Sequence, residues 1–319
     1  MSHYKKNLLK RYWLYQSNKI GKKTGILEHS EGLYDRPPVF TPENYWRNVI
    51  VHPDASQKQI DELISLMPKG ERHKWFRSMN SSQALGLSIF GNLVMHGLIS
   101  IISDLKDDQD QLLFRNILIH TNNFLFEHKI EYLGEPKPTS VDGFLLGKKQ
   151  IAFEFKFIES EIGPCSRPRV SKRDPHYYKK KCDGNYKVQN KRKSRCSLTE
   201  RGVQYWDFIP HLFDLDSEND HSPCPIASNY QLARNILAAG VTPDGNASVN
   251  NGYVVLFYDE RNPAFTNGGK ALHSYNQTIH QLRDPRMLRK CSWQKIINLM
   301  RSKSILPWLT EELDKKYGF

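Results

Sequence analysis

The chain is short of several things at once: an apolar run at its N-terminus, a C-x-x-C pair among its five cysteines, an internal repeat, and any acidic residue in its first 27 positions. The segment Asn7-Leu-Leu-Lys-Arg-Tyr-Trp13 is broken by charge, which argues against a secretory signal, and the expectation is a soluble, cytoplasmic protein. Without C-x-x-C, any metal shared by cysteines has to be gathered from distant positions. Charge is also missing from Ala84 to Ile102, a stretch long enough to span a bilayer. Ser88, Asn92, His96 and Ser100 recur along it every four residues, with three glycines between, which fits a buried helix turning one face to a cleft. No membrane role is expected.

What is present suits a folded protein. Of 319 residues 39% are hydrophobic, with six Trp and fifteen each of Tyr and Phe, enough for a sizeable core in one large domain or two. Lys and Arg number 46 against 34 Asp and Glu, and the excess is concentrated. Cys165 to Arg201 carries thirteen basic and three acidic residues, interleaved with His176, Tyr177, Tyr178 and Tyr186, while the first 27 residues add seven basic ones. Such a stretch suits phosphate contacts plus stacking on sugars and bases, with Arg167, Arg169, Lys179, Lys180, Lys181, Lys191, Arg192 and Lys193 as the candidates. No motif that reads bases or 2′-hydroxyls is present, so the residues alone leave DNA and RNA both open.

The chemistry is suggested by a hairpin. Val141 to Leu146 and Ile151 to Phe157 are apolar-rich runs joined by Gly147-Lys-Lys-Gln150, the pattern of two antiparallel strands. A loop of Gly147, Lys148 and Lys149 makes Phe144 face Ala152 and brings Asp142 opposite Glu154. The second strand alternates, with Ile151, Phe153, Phe155 and Phe157 on one face and Ala152, Glu154 and Lys156 on the other. Mg²⁺ prefers oxygen and takes one or two carboxylates, so Asp142 and Glu154 suffice to hold it, or Mn²⁺. Lys156 on the same face then orients water or stabilises a phosphorane. The competing view is bland: a strand with E-x-K on its solvent face is common.

Pro138-Thr-Ser-Val-Asp142, eleven residues, then Glu154-Phe-Lys156 resembles the PD-(D/E)XK nuclease superfamily, the proline standing one position further from the aspartate than in its strictest form. Gly163-Pro-Cys-Ser-Arg-Pro-Arg169, Arg195-Cys-Ser-Leu-Thr-Glu200 and Tyr230-Gln-Leu-Ala-Arg234 are similar to a restriction-endonuclease-like branch over roughly residues 75 to 319. The resemblance implies an α/β fold with an αβββαβ core, a mixed sheet flanked by helices, and it favours DNA as the polymer. The order of elements agrees. Ser81-Ser82 caps a helix to about Ile102; Phe124, Phe126, Ile130 and Tyr132 alternate as a first strand; the hairpin gives two more. A second core helix fits Tyr230 to Ala239, and Gly252 to Tyr258 reads as a buried strand. Many members of the superfamily place a glutamate on the first helix, where this chain offers Gln83. Gln231 resembles the glutamine that contacts the attacking water or the backbone of DNA, and Arg234, one turn on, faces a phosphate from the same side.

The expected organisation is a basic arm and helical extension over 1–75, and a nuclease domain over 76–319 with an inserted basic subdomain at 158–226. In the extension Ser56 and Gln59 form a capping-box pattern ahead of Ile60, Leu63, Ile64 and Met67, and Tyr34 to Asn44 reads as a linker or extended arm. Trp293 to Phe319 is expected to form two short helices. Cys165, Cys182, Cys196 and Cys224 fall in the insert and Cys291 outside it. The four either bind a structural zinc or an iron-sulfur cluster, with His176, His211 and His221 as spare ligands, or remain reduced thiols. Together these readings imply a Mg²⁺-dependent deoxyribonuclease, in restriction or phage defence by resemblance. The alternatives are a catalytically inactive nucleic-acid-binding module of the same fold, and a nucleic-acid-binding protein that works through its Cys-containing insert. Endonuclease and exonuclease both stay open, and a homodimer is compatible with the sequence.

Overall fold

A computed structural model describes residues 2–19, 25–28, 35–186 and 196–319. Lys191, Arg192 and Lys193 lie outside the described residues. The helices and strands run α1 (His3–Lys19), α2 (Gln57–Ser65), α3 (Ser82–Gly86) and α4 (Asn92–Met95), then β1 (Phe124–Ile130), β2 (Thr139–Leu145) and β3 (Gln150–Phe155). There follow α5 (Tyr177–Lys180), α6 (Tyr205–Leu212), α7 (Tyr230–Gly240), β4 (Gly252–Tyr258), α8 (Lys270–Gln281), β5 (Leu288–Ser292), α9 (Trp293–Ser302) and α10 (Pro307–Tyr317). The strands form one mixed sheet in chain order, antiparallel from β1 to β3 and parallel from β3 to β5. β4 is buried along its whole length, as its unbroken apolar run requires of a strand covered on both faces.

Each face of the sheet has its own core. Phe124, Phe126, Phe153, Phe155 and Phe257 belong to one, with Phe90 stacked on Phe124 and on Phe155 at 5.3 and 5.4 Å between ring centroids. Phe90 sits in a π turn, Leu87–Gly91, that joins α3 to α4. The other core joins Val141, Phe144, Ala152, Val254 and Leu256 to α6, α7 and α8. Tyr186, Leu198, Val203, Tyr205 and Trp206 from the basic insert are part of it. The alternation expected of β3 holds: its odd-numbered residues enter the first core and Ala152 the second.

The extension shares the first core. Leu8, Leu9, Tyr12 and Trp13 of α1 are buried with Leu309, Leu313 and Tyr317 of α10, and Tyr15 Oη donates to Glu312 Oε2 at 3.0 Å. The Ser56 and Gln59 capping box forms in full, and α9 and α10 are the two C-terminal helices expected. Phe40, inside the proposed arm, is completely buried and its N–H donates to Arg77 O at 3.0 Å.

Two expectations about the uncharged segment are corrected. The helix starts at Ser81, whose Oγ accepts the Ala84 N–H, but ends at Met95 rather than near Ile102. Gly97 at φ +70° closes it: the Leu98 N–H reaches Leu93 O and the Gly97 N–H reaches Val94 O, a Schellman stop. Residues Ile99–Asp104 continue as a 3₁₀ turn. The polar stripe does not open onto a cleft along its length either. Ser88 and Asn92 are buried and clamp the backbone of Ile50, Ser88 Oγ accepting its N–H and Asn92 Nδ2 donating to its carbonyl, both at 2.9 Å.

Candidate active site

The β2–β3 pairing runs from Leu145↔Ile151 through Phe144↔Ala152 to Gly143↔Phe153 and stops there. The expected register is present, but the strands part before Asp142 and Glu154 can become a ladder pair. Asp142 Oδ2 instead accepts the Phe155 N–H at 2.7 Å, its side chain replacing the missing strand partner. Glu154 and Lys156 point to α7 and are only 2% and 7% exposed, so the solvent-face reading of E-x-K does not hold. Lys156 Nζ lies 2.7 Å from Glu154 Oε1 and donates to Gln231 Oε1 at 2.9 Å. Asn235, one turn beyond Gln231 on α7, donates from Nδ2 to Glu154 Oε2 at 2.5 Å.

A third carboxylate joins them that the sequence reading passed over. Glu127 lies on β1 between Phe126↔Gly143 and His128↔Val141, which places it across from Asp142. Its backbone is left-handed, φ +47°, a conformation that costs a non-glycine residue roughly 1–3 kcal/mol and recurs at functional sites. Phe126 enters the first core, whereas His128 stacks on Phe144 of the second, so β1 changes face at Glu127. The one sign in the sequence is His128, which stands at the apolar phase of the alternation that starts at Phe124. Gln83, where superfamily members carry a glutamate, donates from Nε2 to Glu127 Oε1 and accepts the His73 N–H on Oε1 at 2.8 Å. The neighbouring strand thus brings a carboxylate to the start of α3.

Burial and mutual repulsion dominate the electrostatics. Burial pushes the Glu127 carboxyl up to about 7, with Glu154 and Glu71 adding to the rise and the Gln83 and Ser140 hydrogen bonds opposing it. The Asp142 carboxyl is held well above the usual range by burial, then by Glu154 and Glu127, against the pull of Lys156 and the Phe155 N–H. Burial alone would lower the Lys156 ammonium, but Glu154, Glu159 and Asp142 more than offset it and raise its pKa. The cluster holds more acid than its one buried lysine can neutralise.

A cleft of about 810 Å³ opens over part of this cluster. Asp142, Glu154, Lys156 and Gln231 are on its lining, with Ser81, Ser82 and Gln83 from the start of α3. Pro37 and Val39 of the arm, His73, and Trp75 from before α3 complete the wall, Trp75 half-exposed. Glu159 is a further acid there, anchored by the Ser82 hydroxyl at 3.0 Å and the Phe157 N–H at 2.5 Å. The donor set is all oxygen on the acidic side, as a hard divalent cation prefers. Among the described residues no three His, Cys, Asp or Glu side chains are gathered closely enough to hold a metal ion.

The basic candidates are placed unevenly. Arg167 and Arg169 lie in a 3₁₀ turn, Arg169 within 3.7 Å of Glu161. On α5, Lys179 is exposed while Lys180 pairs with Asp174 at 3.1 Å, and Lys181 Nζ donates to Pro168 O at 2.6 Å. Arg234 lies over the Tyr230 ring, and its buried Nε finds no acceptor among the described residues. All five cysteines are free, and no described helix is long and apolar enough to cross a membrane.

A family model described as Restriction Endonuclease associating with ARP matches residues 9–318. No curated protein and no solved structure matches the chain.

Proposed function

The chain belongs to that restriction-endonuclease family, and on that premise we propose that it is a metal-dependent nuclease that hydrolyses DNA phosphodiester bonds, in a restriction or phage-defence setting. The observation that carries this reading is the convergence of Asp142 and Glu154 on Lys156 in one cleft, with Glu127 close enough to raise the Asp142 carboxyl further. The helix–β1–β2–β3–α7–β4 order supports a PD-(D/E)XK core, with the helical extension before it and the basic Cys-containing region at 158–226 inserted after β3.

Asp142 and Glu154, with Glu127 beside them, would hold Mg²⁺ or Mn²⁺. Their oxygen donors and excess negative charge fit such an ion, which would supply Lewis-acid stabilisation and a more acidic bound water. Asn235 and the Phe155 N–H fix the two principal carboxylates, so their orientation is set before substrate arrives. Lys156 keeps its proton and presents an ammonium to charge building on the phosphodiester; Gln231 holds that ammonium in place. The cleft is of small-ligand size, so DNA would lower one backbone segment to the floor. Arg167, Arg169, Lys179, Lys180, Lys181 and Arg234 would take neighbouring phosphates, together with Lys191, Arg192 and Lys193.

The test is direct. Purified protein incubated with circular and linear DNA should cut in Mg²⁺ and stop in EDTA, and cutting of the circular form would establish an endonuclease. Binding without cleavage of either form would overturn the enzymatic reading in favour of an inactive binding module.

A further inference from the structure

We infer that Cys165, Cys182, Cys196 and Cys224 form a structural zinc site that fastens the basic insert to the base of α7. Four segments far apart in sequence are brought together by backbone contacts next to these residues. The Cys182 N–H donates to Arg167 O at 3.3 Å, the Cys224 N–H to Gly184 O at 2.8 Å and the Cys165 N–H to Ala227 O at 2.7 Å. Ser197 Oγ, beside Cys196, donates to Lys180 O at 3.1 Å. Each cysteine neighbourhood is therefore tied to another, and the ties converge on one loop cluster.

The second observation is a repeated local geometry. At two of the four positions the sulfur accepts the backbone N–H two residues on: Gly184 donates to Cys182 Sγ and Leu198 to Cys196 Sγ, each at 3.4 Å. A neutral thiol is a poor acceptor, so a backbone donor aimed at each of these two sulfurs is of most use when they are thiolates. Gly184 at φ +89° permits the turn at Cys182, and Pro225 restrains the one at Cys224. Cys291 is set apart: it is buried beside β5 and its thiol faces the carbonyls of Lys106 and Ser292.

The sulfurs of Cys196, Cys165 and Cys182 all lie close enough to Cys224 for the four to sense one another's charge. Four thiolates this near repel, and a divalent soft-to-borderline ion relieves the repulsion. Tetrahedral four-sulfur ligation without an open position is the usual form of structural zinc. Binding would release the thiol protons to solvent and link loops that carry little regular structure, the only helix between Cys165 and Cys196 among the described residues being the short α5 and a 3₁₀ turn. The sulfurs are not yet at coordination distance among the described residues, so side-chain rotation must close the site.

The position gives the site a consequence beyond the insert. The Gln231 N–H donates to Gly163 O at 3.0 Å, just before Cys165, and Ala227 hydrogen-bonds both Cys165 and Cys224. Zinc would hold the entrance to α7, and through it the side chain that holds Lys156.

Protein expressed with zinc in the medium and purified without chelator should contain about one zinc per chain. Four thiols should resist a thiol reagent until a strong chelator is added, and cobalt exchanged into the site should show sulfur-to-cobalt charge transfer. Cys182→Ser and Cys224→Ser should lose the ion while Cys291→Ser keeps it. The cobalt and thiol measurements use the unaltered chain and so stand even where a Ser variant fails to fold. Absence of zinc together with no cobalt charge transfer overturns the proposal, as does a brown protein containing iron and acid-labile sulfide.

Discussion

The acidic floor of the cleft is positioned by strands, whereas the four-thiol cluster is positioned by turns, and the two differ in what each owes to the fold. Glu127, Asp142 and Glu154 come from three adjacent strands, so sheet register brings them together whether or not they serve any chemistry, and their crowding opposes folding. The cysteines come from four loops with no ladder to align them and are connected by isolated hydrogen bonds. Removing charge from the floor should therefore damage chemistry and spare stability. Removing a thiol should cost stability first, and chemistry only through the anchoring of α7.

The largest effect that would sharpen this contrast is at the floor. Asp142→Asn or Glu154→Gln should lower DNA cleavage by roughly two to three orders of magnitude or more, and Asp142→Asn should leave the melting temperature unchanged or raised. A variant that cuts at full rate would break the comparison, because the strand-borne acids would then be structural.

The next effect reads the repulsion through pH. With its folded pKa raised to about 7 from an unfolded value near 4.5, Glu127 contributes stability that is fully present at acid pH and is lost as pH rises through about 7. Asp142 shifts in the same direction. In EDTA, stability should fall between about pH 4.5 and 7, the Glu127 share being on the order of 3 kcal/mol at most. Glu127→Gln should reduce the slope and Mg²⁺ should counter the loss. A flat profile in the parent protein would show that the carboxyls are not strained by burial.

The smallest effect concerns the insert that the thiols organise. Lys179→Ala should reduce the salt dependence of duplex binding by about 0.9 in the log–log slope, and Lys181→Ala should change it less because that ammonium already serves Pro168 O. Equal changes at both positions would mean that the bonded arrangement does not persist on DNA.

The legible parts of this chain are those in which one local pattern decides the outcome. The phenylalanines of β3 give its facing, the apolar run of β4 gives its burial, and Ser56 with Gln59 gives the start of α2. Glu127 was passed over because its place in the site depends on a left-handed backbone that an alternating pattern does not suggest. β5 was missed for a different reason: five residues long, with half-buried Arg289 and Lys290 at its centre, it gains its strand character only by pairing with β4. Asn235 lay within reach, four residues after Gln231 and hence on the same face of α7. The burial of Phe40 and the clamp on Ile50 are tertiary facts, settled by distant partners.

The indole of Trp293 donates to the carbonyl of Lys156 at 2.8 Å, and α10 closes over α1 at the far end of the same core. Read along a growing polypeptide, this means that the strand bearing Glu154 and Lys156 is translated long before the donor that secures it, and the first helix long before its cover. Local elements can condense early, but this core is completed only once α9 and α10 have been made. The strand that carries Glu154 and Lys156 thus gains its last support from a segment more than a hundred residues further along the chain.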